Sequence, residues 1–265
     1  MKRKRALITG ASTGIGREYA FALAEKGYDL VLVARSRDKL DALAHELKKT
    51  YKRNIHVIVK DLSIASAPEE IYVELKDRQW QIDMLINNAG AGSTGQLLER
   101  SLVQNQQQVM LNVNAVVNMT HLFLQDMVAR KQGDVINVAS MASFQPIPYM
   151  SIYAATKSFV LSFTEGLHEE YSQHGIRVIA VCPGNTQTQF FDQAPDSIKV
   201  GKMRSSRQVV ETSFKGLRRN QSYIVDGKMN KLLSELPRFL PRRWISKMSA
   251  RLMKKTMSHT NSGSN

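Results

Sequence analysis

The chain has 265 residues, 43% hydrophobic and 23% charged, with 15 Gly and 7 Pro, which excludes collagen-like, low-complexity and wholly disordered architectures and leaves room for one large α/β domain. The net charge of +14 is concentrated: residues 199–257 hold 16 Lys and Arg against Glu211, Asp226 and Glu235, while the first 198 residues are nearly neutral. A neutral body with a basic end argues against a chain-wide nucleic-acid surface.

The single Cys182 precludes an internal disulfide, and no apolar stretch reaches the roughly 18 residues of a membrane span. The basic start lacks a signal peptide's apolar region. A cytoplasmic setting is expected, with peripheral contact to a membrane left open.

Apolar runs alternate with helical stretches. Strands are predicted at 6–8, 29–34, 55–59, 84–86, 134–139 and 177–182, and helices at 17–26, 38–49, 69–77, 104–130 and 153–174. Strands this apolar, separated by helices, predict a Rossmann-type doubly wound parallel sheet covered on both faces, with ligands beyond the strands' carboxyl ends. The expected partition is 1–198 as the dinucleotide-binding and catalytic domain, 199–257 as a basic helical extension completing it, and 258–265 as a disordered tail. His and Cys show no metal-ligand spacing, so no metal is expected.

The first strand runs into Gly10, Ser12, Thr13, Gly14, Ile15 and Gly16 and then a helix. Such a loop lets backbone amides and a helix N-terminus approach a pyrophosphate, although an ordinary βα turn with helix-packing glycines also uses these residues. The second strand ends in Arg35 and Ser36 with no acid until Asp38. An acid there would hold a ribose 2′-hydroxyl, whereas a guanidinium and a hydroxyl suit a 2′-phosphate, so NADP(H) is expected over NAD(H). Arg37 is either a further phosphate contact or a solvated helix-start residue.

Tyr153 and Lys157 lie four apart and share a helix face, where the ammonium, together with a positively charged nicotinamide in the oxidised complex, is expected to acidify the phenol. Ser140 ends the preceding strand, where its hydroxyl can hold a reacting carbonyl oxygen. Phe144, Ile147, Pro148 and Tyr149 make an apolar stretch beside it, so a lipophilic carbonyl or alcohol substrate is expected. Residues 92–94 and Phe190-Phe191 are further pocket candidates. Equally, these aromatics serve as core or interface.

TGASTGIG (9–16), NNAG (87–90), Ser140 with Tyr153 and Lys157, and Pro183-Gly184 together resemble the short-chain dehydrogenase/reductase superfamily, in order and spacing, over about residues 5–190. The resemblance implies that Asn112 holds a water in a proton relay, that Asp61 and Leu62 contact adenine, and that Asn88, Ala89 and Gly90 run along the adenosine ribose. It implies nicotinamide contacts from Pro183, Gly184, Thr186 and Thr188, and leaves Asn87 to brace the sheet. The A-R-S run at 34–36 is similar to that of NADP-using steroid and carbonyl reductases of this superfamily. The implied reaction is reduction of a ketone, or oxidation of a secondary alcohol, with Tyr153 as general acid/base. Lys157 hydrogen-bonds the cofactor ribose, and a homo-oligomer is expected. The competing reading is a catalytically silent NADP-binding sensor or scaffold.

Beyond Pro241, Trp244, Ile245, Met248, Leu252 and Met253 recur at helical spacing among six Lys and Arg. A basic amphipathic helix over 241–257 can lie on an anionic bilayer, close the pocket as a lid, form a dimer contact, or pack on its own domain. The upstream segment 225–228 (VDGK) resembles C-terminal extensions in bacterial members of the superfamily.

Overall fold

A strand buried on both faces is predominantly apolar, and the observed sheet follows that pattern, with the buried polar residues Thr9, Asn87 and Asn137 held by hydrogen bonds. The structure, a computed structural model, describes residues 3–188 and 203–261, the last five of these as backbone only. Phe190 and Phe191 lie outside the described residues. Seven parallel strands, β1 (Arg5–Thr9), β2 (Asp29–Ala34), β3 (Ile55–Val59), β4 (Met84–Asn87), β5 (Gly133–Val138), β6 (Ile176–Cys182) and β7 (Tyr223–Val225), form one sheet in the order β3-β2-β1-β4-β5-β6-β7. Side chains alternate between the faces. Ile8, Leu30 and Leu32 join the core under α1 (Gly14–Glu25), α2 (Arg37–Tyr51) and α7 (Ser206–Arg218). Leu7, Val31 and Val33 join the core under α3 (Ala67–Asp77) and the helices of the other face.

On that other face the single long helix expected over 104–130 is α4 (Leu102–Val109), a π-turn (Met110–Asn114) and α5 (Ala115–Ala129). A π-turn is an interruption that apolar periodicity does not reveal. α6 (Ser151–Tyr171) starts two residues earlier than the pattern suggested and ends in a 3₁₀ turn, Ser172–His174.

The basic end supplies α7, the seventh strand, α8 (Lys228–Glu235) and α9 (Arg242–Asn261). β7 was not expected, because three residues are too few to register as an apolar run. α9 continues four residues into the tail expected to be disordered: nothing before Gly263 breaks a helix. Strand order reverses between β1 and β4, so the crevice for a ligand opens there, beyond the carboxyl ends.

Candidate active site

The two crossovers flanking the crevice are tied together by hydrogen bonds. The Thr9 hydroxyl donates to the Ile86 carbonyl (3.2 Å) and accepts from the backbone N–H of Asn88 (2.9 Å) and Ala89 (3.0 Å). The Asn88 amide donates to the Thr9 (3.0 Å) and Gly10 (3.1 Å) carbonyls. A Cβ on Gly10, at φ +64°, would lie 2.9 Å from the Ala89 Cα, and one on Gly16 would overlap the Gly10 carbonyl. The close approach therefore exists only with glycine at both places. Thr13, the N-cap of α1, is extended and makes no side-chain capping bond, which leaves the first-turn amides for an anion. A dinucleotide's pyrophosphate fits this cradle.

At the end of β2, Arg35 is 70% exposed and 3.8 Å from the Asp61 carboxylate, whose other oxygen accepts from the Ser63 N–H (2.9 Å) and hydroxyl (2.8 Å). Ser36 is the N-cap of α2 and makes no side-chain capping bond. Arg37 begins the helix, exposed. Leu62 is buried in the core and offers a ligand only its backbone; Ile15, packed against the opposite core, does the same. Across the crevice, the Thr188 side chain lies over Gly14. The Pro183 carbonyl accepts from the Met141 N–H (2.9 Å), Gly184 packs on Asn230, and the Thr186 hydroxyl donates to the Gly184 carbonyl (3.1 Å).

The four predicted catalytic residues converge beyond β4 and β5. Tyr153 and Lys157 occupy the first turns of α6, on its buried face. The Ser140 hydroxyl accepts from the Ala142 N–H (3.1 Å) and hydrogen-bonds the Tyr153 phenol. The Lys157 ammonium donates to the Val138 carbonyl (2.7 Å), and its own carbonyl accepts from the Ser143 hydroxyl (2.8 Å). Asn112 sits in the π-turn, fully buried, its carbonyl oxygen accepting from Ala91 N–H and its amide donating to Ala91 O, both at 2.8 Å, and to the Thr156 hydroxyl (3.0 Å). Its side chain is thus committed to the loop after β4, and a relay water would have to be held by backbone instead. Gly90 lies against both Asn112 Oδ1 and Lys157 Nζ. Asn87 bridges Thr120 and Asn137 at 2.9 Å each in the interior, bracing β4 against β5.

Burial decides the electrostatics here. It pushes the Tyr153 phenol up to about 12, against a smaller opposing effect of the Ser140 hydrogen bond. It pulls the Lys157 ammonium down to about 8. Burial therefore dominates the phenol here, with the Lys157 ammonium 6.0 Å from the Tyr153 ring centroid and bonded to the Val138 carbonyl. Burial also raises the Cys182 thiol well above its usual range, a packed and unreactive cysteine.

The apolar wall is rearranged relative to expectation. Tyr149 and Ile147 join Ala142, Met150, Tyr153, Ala154 and the fully buried Met253 of α9. Tyr149 holds a positive φ of 68°, a strained backbone for an aromatic residue, while its carbonyl accepts from Gly95 N–H (2.9 Å). Phe144 turns away to Tyr223 of β7, with ring centroids 5.9 Å apart, and packs with Val160 and Leu161. In the 92–94 loop, Ser93 donates to buried Gln108 (2.7 Å), which also accepts from Arg100 (2.6 Å). Sequence reasoning missed the roles of Thr9, Ser143, Thr156 and Met253. The first three lie in or beside recognised motifs and were open to discovery by asking what holds each motif in place. Met253 is a hundred residues from Tyr153, and the helical spacing that marked it carries no sign of the surface it packs on.

A glycine cradle at a strand-order reversal, with Ser, Tyr and Lys converging beside it, defines a dinucleotide-dependent oxidoreductase acting on CH–OH or C=O groups. The family model for "short chain dehydrogenase" matches residues 4–199, and the chain belongs to that family. It is 33% identical to the human very-long-chain 3-oxoacyl-CoA reductase over 268 residues, covering 95% of this chain and 82% of that protein. Among solved structures it is similar to a bulky-bulky ketone specific alcohol dehydrogenase from Comamonas testosteroni (31% identity, TM-score 0.78, 90% of this chain and 92% of that one). It is also similar to a short-chain dehydrogenase from Sphingobium yanoikuyae in complex with NADPH (30% identity, TM-score 0.80, 90% and 97%).

Proposed function

We propose that this enzyme reduces a bulky lipophilic ketone with NADPH, and oxidises the matching secondary alcohol when concentrations favour it, with Tyr153 as general acid/base. The observation that carries the reading is the buried Tyr153 phenol, hydrogen-bonded to Ser140 and one helical turn from Lys157, whose ammonium lies against Gly90 in the loop after β4.

When bound, the nicotinamide supplies the hydride. Ser140 orients the carbonyl oxygen and Tyr153 donates the proton to it. Because burial keeps the phenol protonated far beyond neutral pH, the acid form stands ready for reduction. Lys157 holds a ribose, and a water on the π-turn backbone at Asn112 links the site to solvent. Arg35 and the Ser36 hydroxyl, at the N-terminus of α2, receive a 2′-phosphate. Asp61, Asn88, Ala89 and Gly90 line the adenosine side, and Pro183, Gly184, Thr186 and Thr188 the nicotinamide side.

Tyr149, Ile147, Met150 and Met253 give the substrate wall its apolar character. The long-chain and bulky-ketone relatives support a large substrate. The silent-sensor reading gains nothing from a site in which all four catalytic residues converge.

A panel of bulky ketones assayed with NADPH and NADH tests substrate class and cofactor choice together. NADPH is expected to exceed NADH in kcat/KM, and Arg35→Ala to narrow that gap. Tyr153→Phe is expected to cut turnover by about 10³-fold or more while leaving NADPH affinity unchanged. Near-normal turnover in that variant would overturn the mechanism.

A further inference from the structure

Reduction chemistry makes no use of the outward surface of α8 and α9, yet that surface combines two features that rarely coexist. Along α9, Ile245, Ser249 and Met253 form the buried row. The row one residue earlier, Trp244, Met248 and Leu252, faces outward, with Trp244 64% exposed. Leu232 of α8 and Leu236 after it are also exposed, and Phe239, just before α9, is 82% exposed. Exposed apolar surface of this extent marks a binding site on a water-soluble body.

Between residues 228 and 256 there are also nine Lys and Arg, all exposed, and one acid. That acid, Glu235, is already paired with Arg238 at 3.0 Å.

We propose that this face docks on an anionic lipid bilayer. Trp244 and Phe239 sit at the boundary of headgroups and acyl chains, Met248 and Leu252 beside them, and the Lys and Arg side chains reach the headgroup anions. Charge selects this occupant. A second copy meeting the same face across a two-fold axis would set cations against cations, and a nucleic-acid backbone would leave the apolar row in water. Met253 of the inner row packs in the cluster around Tyr153, so docking holds one wall of the active site at the bilayer surface.

Flotation of the full chain with vesicles of phosphatidylcholine alone, or with about 30% phosphatidylglycerol, tests this without reference to turnover. At least tenfold tighter binding to the anionic vesicles is expected, weakened by salt. Lys247→Glu with Arg251→Glu and Lys254→Glu should lower that affinity more than about 100-fold. Trp244 is one of two tryptophans, and its emission should shift to the blue on binding. Replacing Met248 and Leu252 by Ser should abolish the shift. Every substituted residue is exposed, so NADPH affinity and melting temperature should hold, which separates lost docking from lost folding and from an error in the reductase reading. Equal flotation with both vesicle types, full binding by the charge-reversed variant, or a soluble dimer that ignores vesicles and that Met248→Ser with Leu252→Ser dissociates would each overturn the proposal.

Discussion

Lys157 is buried, its ammonium donating to the Val138 carbonyl, and burial lowers its pKa to about 8 from an ordinary 10.5. In the unfolded chain it keeps its proton up to the ordinary value. Between those two pH values the unfolded state therefore binds more protons, and this residue's contribution to stability rises with pH. Tyr153 acts in the opposite sense at higher pH: raised from 10 to about 12, it makes stability fall across that window. Lys157→Met removes the first effect. Relative to the native enzyme, the variant should be most favoured near pH 7, and lose about 2 kcal/mol of that relative advantage by pH 10. Denaturant titrations at the two pH values measure the difference; a pH-independent gap would mean that the ammonium is solvated in the native state. Activity is expected to vanish in the same variant, so lysine here is kept for function at the expense of stability.

An ion pair among the elements after β6, Arg204 with Asp226, is joined by backbone hydrogen bonds to the loop that follows that strand. Asp226, fully buried, accepts from Arg204 Nε (2.5 Å) and the Thr212 hydroxyl (2.6 Å). The Arg204 backbone bonds the Asn185 carbonyl (3.0 Å) and the Gln187 N–H (2.9 Å). Asp226→Asn keeps the volume but leaves the guanidinium without its counter-charge, and is expected to cost about 2–3 kcal/mol. Because the loop is bonded to the same arginine, NADPH affinity should fall with stability, which calorimetry with and without NADPH would show. The segment 225–228 stood out in the sequence, but its ion pair did not: Arg204 and Asp226 are 22 residues apart and signal nothing locally. Strands β1 to β6 were legible because strands buried on both faces are predominantly apolar runs. β7 was not, since three residues on the side of an existing sheet need no run of their own. The glycine cradle and the Tyr153–Lys157 pair were legible because backbone approach and helical spacing dictate residue type. The π-turn and the redirected Phe144 depend on what packs against them, which only the assembled fold supplies.

At the scale of the whole molecule, the basic end reaches the cluster around Tyr153. Met253 arrives from α9, fully buried against Met150, Tyr153 and Ala154, so the phenol's raised pKa depends on a helix at the far end of the chain. Met253→Ala removes that cover. Deleting a buried methionine side chain costs about 2–5 kcal/mol, at the low end here because a terminal helix can settle into the gap, and the melting temperature should drop by about 5–10 °C. Water admitted beside Tyr153 weakens its desolvation, so the phenol should titrate closer to its ordinary 10 than to the native 12. Ultraviolet titration at the tyrosinate band, with a matched Met253→Ala, Tyr153→Phe double variant as the blank, isolates that one group. Met253→Leu, close in volume, should restore both stability and titration. Loss of stability with an unmoved phenol would confine Met253 to holding α9 down and remove it from the wall over the reacting oxygen.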